Sequence, residues 1–354
     1  MIKRKKTREI NVGDVKIGAD NPIVVQSMTN TPTHDVEKTI NQIEMLTEAG
    51  CEIVRVSVPD EKSAKALKKI KDIIKIPVIA DIHFGYKLAI LAIENGADGI
   101  RINPGNIGNI GRIKKIVDCA KKHSVAIRVG VNSGSIKHEI IKKFGGPTIN
   151  ALVESCMENV KILENLGFYS IKISLKSSDV LTTVEAYKKI SEIFDYPLHI
   201  GITEAGTLKS GTIKSSVGLG ILLYQGIGDT IRVSLSADPI EEVYVAYKIL
   251  DALGLRKRGI EIISCPTCAR TEINVTELAE KLEKKFQNVK KSIKIAVMGC
   301  VVNGPGEAKE ADIGIAGSKK YGVIFKQGEI VKKVEFEDIE REFFKYLDDY
   351  LKYA

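Results

Sequence analysis

The stretch Val125-Ala-Ile-Arg-Val-Gly-Val-Asn132 decides how this chain folds. Residues two apart on a strand point to the same side. Arg128 and Asn132 therefore face one way, and Val129 and Val131 face the other. The same alternation recurs in Arg55-Val-Ser57, Arg101-Ile-Asn103, Lys172-Ile-Ser174-Leu-Lys176 and Arg232-Val-Ser234. A strand with one apolar and one cationic face needs helices over the first face and a shared polar interior for the second. A parallel barrel supplies both.

The period around these strands agrees. Short apolar runs fall at 23–28, 52–57, 77–83, 99–103, 125–132, 170–175, 198–203 and 230–235, each followed by a helical pattern such as 36–48, 62–74 or 239–253. Eight βα units in about 250 residues predict a (β/α)8 TIM barrel. A doubly wound open sheet competes, but eight regular units favour closure. Segment 10–17, with its Val-Gly-Asp turn, predicts a hairpin that plugs the barrel floor.

The inward cations say what the barrel holds. Several of one sign on a common axis repel strongly without an anion. Few inward carboxylates are legible, with Asp81 and Glu204 the best candidates. The expected ligand is strongly anionic, such as a diphosphate gripped by Arg forks at the C-terminal mouth. Arg55, Arg101, Asn103, Arg128, Asn132, Lys176, Arg232 and Ser234 are the candidate binding residues. The loop Thr203-Glu-Ala-Gly-Thr-Leu-Lys-Ser-Gly-Thr212 adds small polar groups where barrels often bind phosphate. Its Glu204 reads either as an acid/base group or as a carboxylate paired with an arginine.

Beyond residue 258 the pattern changes, giving domains 1–258 and 259–354. The second is read as α+β: strands at 259–263, 293–298 and 311–316, a hairpin at 323–334 turning at Gln327-Gly328, and a closing helix at 337–351. Asn274, followed three residues later by Glu277, signals a helix start. Cys265-Pro-Thr-Cys268 and the remote Cys300 lie among Gly, Pro and Asn, in loops, as ligands of an iron–sulfur cluster or a zinc ion would. The five histidines all precede Cys265, so none lies nearby in sequence to complete a zinc site. Glu307, in Asn303-Gly-Pro-Gly-Glu307, reads equally as a fourth ligand or a surface carboxylate. Cys51, Cys119 and Cys156 sit in or beside amphipathic helices and read as small buried hydrophobes.

Composition narrows the classes. The net charge of +8 comes from basic residues mostly interleaved with acidic ones on helical faces. With no Trp and few aromatics, stacking platforms for nucleic acid are poor, and nucleic-acid binding is not expected. No apolar run approaches the ~20 residues that span a bilayer, so no membrane role is expected. The basic start lacks the apolar stretch of a secretion signal, and unpaired thiols suit a reducing, cytoplasmic setting.

Chain direction adds a constraint. The eighth strand ends at the mouth near 235, and a helix rising about 22 Å returns the chain to the floor. The cysteine domain thus departs from the face opposite the anion site. If both serve one reaction, a second subunit supplies one of them, as in a head-to-tail dimer.

With these residues in view, the chain closely resembles the bacterial, two-domain 4-hydroxy-3-methylbut-2-enyl diphosphate synthase family of the methylerythritol phosphate route to isoprenoids. The resemblance spans essentially the whole chain. It rests on Val25-Gln-Ser-Met-Thr-Asn-Thr31, Ala80-Asp-Ile-His-Phe84, Gly99-Ile-Arg-Ile-Asn-Pro-Gly-Asn106, Gly201-Ile-Thr-Glu-Ala-Gly206, Cys265-Pro-Thr-Cys268 and Asn303-Gly-Pro-Gly-Glu307. Ala269 and Ser318 depart from the Gly of many relatives, a small change. The resemblance implies a 4Fe-4S cluster on Cys265, Cys268, Cys300 and Glu307, with Glu307 able to yield its place. It implies reductive ring opening of 2-C-methyl-D-erythritol 2,4-cyclodiphosphate, with Glu204 as proton donor and ferredoxin or flavodoxin as electron donor. It also implies a homodimer with sites shared between subunits. The alternatives from the residues alone are a TIM-barrel lyase or transferase with a structural metal, or an iron–sulfur electron carrier.

Overall fold

The computed structural model describes residues 2–83, 85–301, 306 and 308–353. The chain divides into two units, Met1–Arg256 and Lys257–Ala354.

In the first unit a hairpin of β1 (Ile10–Val12) and β2 (Val15–Ile17) precedes eight parallel strands. These are β3 (Val24–Met28), β4 (Ile53–Ser57), β5 (Val78–Asp81), β6 (Gly99–Ile102), β7 (Ala126–Asn132), β8 (Ile171–Lys176), β9 (His199–Ile200) and β10 (Thr230–Ile231). Their order is β8-β7-β6-β5-β4-β3-β10-β9, and a parallel bridge between Ile173 and Leu198 joins the two ends into the predicted barrel. Helices pack over the outward residues. Val54, Val56, Ile100, Ile127, Val129, Ile173 and Leu175 are wholly buried there, with helix residues such as Ile43, Leu67, Ile116 and Leu163. The hairpin seals the floor: Ile10, Val12 and Ile17 cluster with Val24, Ile53, Ile79 and Ala126 from the lower ends of four strands.

The second unit has a five-stranded sheet in sequential order. Its strands are β11 (Ile260–Ser264), β12 (Ile293–Met298), β13 (Ile313–Gly317), β14 (Tyr321–Lys326) and β15 (Glu329–Glu335), the first three parallel and the rest antiparallel. The helices Val275–Phe286 and Ile339–Tyr353 cover one face through Leu278, Leu282, Phe286, Phe343 and Leu347. The other face carries small residues, Ala296, Ala311 and Ala316, beside Cys265.

Candidate active site

The one-residue stagger between neighbouring barrel strands, applied to the observed register, stacks the inward side chains in layers. Above the hairpin comes Lys172 with Ile53, Gly99 and Thr230. Next come Gln26, Ile79, Arg128 and His199, and then Arg55, Arg101, Ser174 and Arg232. Asp81, Met28, Gly130 and Gly201 follow, and Ser57, Asn103, Lys176 and Ser234 stand at the mouth.

Asp81 bridges two arginines, 3.2 Å from Arg101 Nη1 and 3.6 Å from Arg55 Nε. Burial alone would raise its carboxyl, but the Arg55, Arg101 and Arg128 guanidiniums together hold it below the ordinary range. Arg55 also donates to the Met28 sulfur from Nε and Nη2, at 3.1 and 2.9 Å. Burial lowers Arg55 to about 10, opposed by Asp81 and reinforced by Arg232 and Arg101.

Arg232 has a partner that the sequence reading missed. It donates from Nε and Nη2 to both oxygens of Glu242, each at 3.1 Å. Glu242 comes from the helix Pro239–Ala252, is almost wholly buried, and also accepts from Ser27 Oγ and the Leu235 N–H. In sequence it reads as half of the acidic pair Glu241-Glu242 in a helix's first turn, which usually only complements the dipole. The signal that distinguishes them is phase: Glu242 shares its helix face with buried Val243, Ala246 and Ile249.

Two glycines make room for the cations. A Cβ on Gly130 would lie 2.5 Å from Arg101 Nε, and one on Gly201 would lie 2.7 Å from Lys176 Nζ. Burial, then neighbouring cations, holds Arg128, Lys172 and Lys176 well below their ordinary values. Arg128 Nε and Lys172 Nζ are buried without a hydrogen-bond partner, as are Gln26 Nε2 and His199 Nε2.

At the mouth, Asn103 accepts from the Gly105 N–H at 3.2 Å and donates to Ser135 O at 3.4 Å. The Asn103–Ser135 bond ties the loop after β6 to the one after β7, whose turn is closed by the Asn132 N–H donating to Ser135 Oγ at 3.0 Å. Ser234 is partly exposed. Glu204, predicted beside the funnel, is exposed on the loop after β9 with a left-handed backbone, φ +51°. For a non-glycine residue that conformation is strained, as is common at functional loops. A cleft of about 590 Å³ lies elsewhere on this unit, lined by Ile10, Asn11, Lys121, Ser124 and Ser170, and includes none of the candidate residues.

In the second unit, Cys265 follows β11 and Cys300 lies two residues past β12, at the same end of paired parallel strands. The Gly299 N–H donates to Cys265 Sγ at 3.1 Å, and the Cys268 N–H donates to Thr271 Oγ1 at 3.1 Å. The Glu272 N–H donates to Gly299 O at 2.8 Å, linking the Cys268 loop to the Cys300 loop. Cys268 is exposed, and the Arg270 backbone and side chain lower its thiol. Among the described residues no three His, Cys, Asp or Glu side chains are gathered closely enough to hold a metal ion. Glu307 lies outside the described residues. The donor set still suits a thiolate-held cluster: three thiols on two linked loops, one already accepting a backbone N–H, as cluster sulfurs do. The remaining cysteines differ. Cys51 and Cys156 are buried and raised by burial, Cys51 to about 12, while Cys119 is partly buried on a helix and also raised.

Residues 7–247 match the model of the GcpE TIM-barrel domain, and residues 261–349 match the GcpE protein C-terminal domain. The chain is 62% identical to the 4-hydroxy-3-methylbut-2-en-1-yl diphosphate synthase (flavodoxin) of Caldanaerobacter subterraneus, covering 99% of both chains. It is 57% identical to the enzyme of the same name from Maridesulfovibrio salexigens, again over 99% of both. Among solved structures, dihydropteroate synthase from Stenotrophomonas maltophilia superposes with a TM-score of 0.51 at 13% identity, over 70% of this chain and 98% of that one. That likeness shows the fold alone.

Proposed function

The chain belongs to the GcpE family, and from that membership we propose how its two units divide the family's reaction. It is an enzyme that converts 2-C-methyl-D-erythritol 2,4-cyclodiphosphate to 4-hydroxy-3-methylbut-2-enyl diphosphate in isoprenoid precursor synthesis. The barrel binds the diphosphate. Arg55, Arg101, Arg128, Lys176 and Arg232 grip its oxygens, and Asn103, Asn132 and Ser234 orient it at the mouth. The observation that carries this reading is the excess of inward cations. Arg55, Arg101, Arg128, Lys172, Lys176 and Arg232 make six, and Asp81 and Glu242 offer two carboxylates, leaving four charges for a ligand or a proton loss to balance.

Cys265, Cys268, Cys300 and Glu307 would hold a 4Fe-4S cluster, which when bound supplies single electrons for reductive cleavage of the ring C–O bond. The chain's own groups do the rest. The arginines fix the ring so that its phosphate leaves along one direction, and their charge stabilises the phosphate oxygen as it is freed. Glu204, on its strained and exposed loop, delivers a proton to the departing hydroxyl, which leaves as water. The electrons come from flavodoxin, in keeping with the names of the relatives. The working form is a homodimer whose sites draw barrel and cysteine loops from different subunits. Two observations support it. Arg256, the last residue of the first unit, bonds Ile23 O and Glu52 Oε2 beside the lower ends of β3 and β4, so the chain leaves the barrel at its floor. The helix Leu208–Tyr224 also leaves Ile213, Val217 and Tyr224 exposed, apolar surface of the kind partners cover. No helix among the described residues is long and apolar enough to cross a membrane. A cytoplasmic setting suits the six free cysteines.

A double dissociation tests this division. Arg128→Ala should weaken binding of the cyclic diphosphate roughly tenfold or more, a charge-assisted contact being worth about 1.5–3 kcal/mol, while iron content stays intact. Cys300→Ala should remove iron and activity while the substrate still binds. Iron retained by Cys300→Ala, or unchanged affinity in Arg128→Ala, would contradict it.

A further inference from the structure

Lys172 is the deepest cation of the barrel, only 1% exposed, and its Nζ has no hydrogen-bond partner. Beneath it the hairpin presents Ile10, Val12 and Ile17, all apolar. The charged groups that act on it are mostly of its own sign, Arg128 on β7 and then Arg55 on β4, opposed only by the Asp229 carboxylate. The carboxylates are committed elsewhere. Asp81 pairs with Arg55 and Arg101, and Glu242 with Arg232. Asp229 pairs with Arg4 and accepts from Thr7 and the Leu198 N–H. On β9, His199 shares its Nδ1 with Thr230 Oγ1, and from the outer wall Tyr187 donates to His199 O.

An ammonium here would be desolvated, unpaired and beside like charge, each of which favours the neutral amine. A neutral amine suits the place, because its lone pair can accept from a donor such as the unpartnered Arg128 Nε. Burial and the cations of β7 and β4 push Lys172 in the same direction. The charge balance points there too. A cyclic diphosphate carries two negative charges, fewer than the excess of four described above, so the free barrel cannot hold all six cations cheaply.

We infer that Lys172 stands as a neutral amine in the free enzyme and takes a proton from solvent when the cyclic diphosphate enters. Substrate binding is thereby coupled to proton uptake at the barrel floor. This rests on the reading of the barrel as the diphosphate site and makes Lys172 a positioning group for the ligand's charge. Ring opening then frees a terminal phosphate with a further ionisable oxygen, and the cation formed on binding lies beneath that growing charge. The sign follows from linkage: uptake on binding means that affinity falls as pH rises, by up to about tenfold per pH unit between the titrations of the free and bound lysine.

Calorimetry of the anaerobic holoenzyme with the cyclic substrate, in buffers of different ionisation enthalpy and without an electron donor, counts the protons. Both phosphates of this ligand are strong acids, so any proton exchanged near neutrality belongs to the protein. The parent should take up roughly one proton per site. Lys172→Met should still bind, with uptake near zero and affinity flat in pH, whereas Lys176→Met should keep the uptake. Binding by the parent without uptake, or uptake that survives in Lys172→Met and vanishes in Lys176→Met, overturns the inference and leaves the diphosphate site standing. Failure of the parent to bind the substrate removes both. Should Lys172→Met not fold, the parent's proton count and its pH dependence decide alone.

Discussion

Glu242 shows how one residue on a helix outside the barrel can fix one of the barrel's inward cations. Its four acceptor contacts, two of them to Arg232, hold that guanidinium in a buried fork. Removing one partner of a buried pair leaves the other uncompensated, at a cost of about 3–5 kcal/mol. Glu242→Gln should therefore lower the unfolding free energy read from urea denaturation by about 3–5 kcal/mol, and Arg232→Met with Glu242→Met should recover part of it. A cost below about 1 kcal/mol for Glu242→Gln would mean that Arg232 finds its counter-charge elsewhere. The inward direction of the arginines was legible because strand period fixes it, whatever lies across the axis. Their counter-charge was not, because it arrives from a helix packed outside the barrel, and only tertiary packing brings the two together. Glu204 illustrates the converse. Its position in a loop was legible, but its exposure and its left-handed backbone depend on how that loop turns.

At the scale of elements, period and capping carried most of the information. The second unit's helix starts where its cap says: Asn274 Oδ1 accepts from the Glu277 N–H at 3.1 Å, and Nδ2 donates to Glu277 Oε2 at 2.8 Å. Loss of such a cap costs about 1 kcal/mol. Asn274→Ala should lower the melting midpoint of the second unit by about 4–8 °C, read by calorimetry, with Asn274→Asp largely restoring it. An unchanged midpoint would show that packing of Leu278 and Leu282 alone sets this helix. The turn at Gln327-Gly328 was equally legible, and both residues take the positive φ that a tight hairpin needs, +49° and +84°. Strands β9 and β10 came out shorter than their apolar runs, at two residues each. The ladder continues past them, since the Arg232 N–H still donates to Ile200 O at 3.1 Å. The regular pairing ends as the chain bends at Thr203 and Glu204 on its way across the mouth, a choice that an alternating pattern does not encode.

At the scale of the whole molecule, the sequence announces two chemistries on two units: a cation-lined barrel and a thiol-bearing α+β unit. Arg256 fixes where the chain leaves the first of them, at the floor rather than the mouth. On the shared-site proposal, a two-fold dimer would pair each barrel with its partner's cysteines. The central claim is therefore that each working site takes substrate-binding and cluster-binding residues from different subunits. Subunit exchange between Arg128→Ala and Cys265→Ala, assayed at a substrate concentration too low for Arg128→Ala alone to turn over measurably, tests it most directly. Random reassortment makes about half the dimers mixed, each with one intact site, so activity should return to roughly a quarter of the parent value. If exchange is demonstrated and no activity returns, barrel and cysteines of one chain serve the same site, and the shared-site account is wrong.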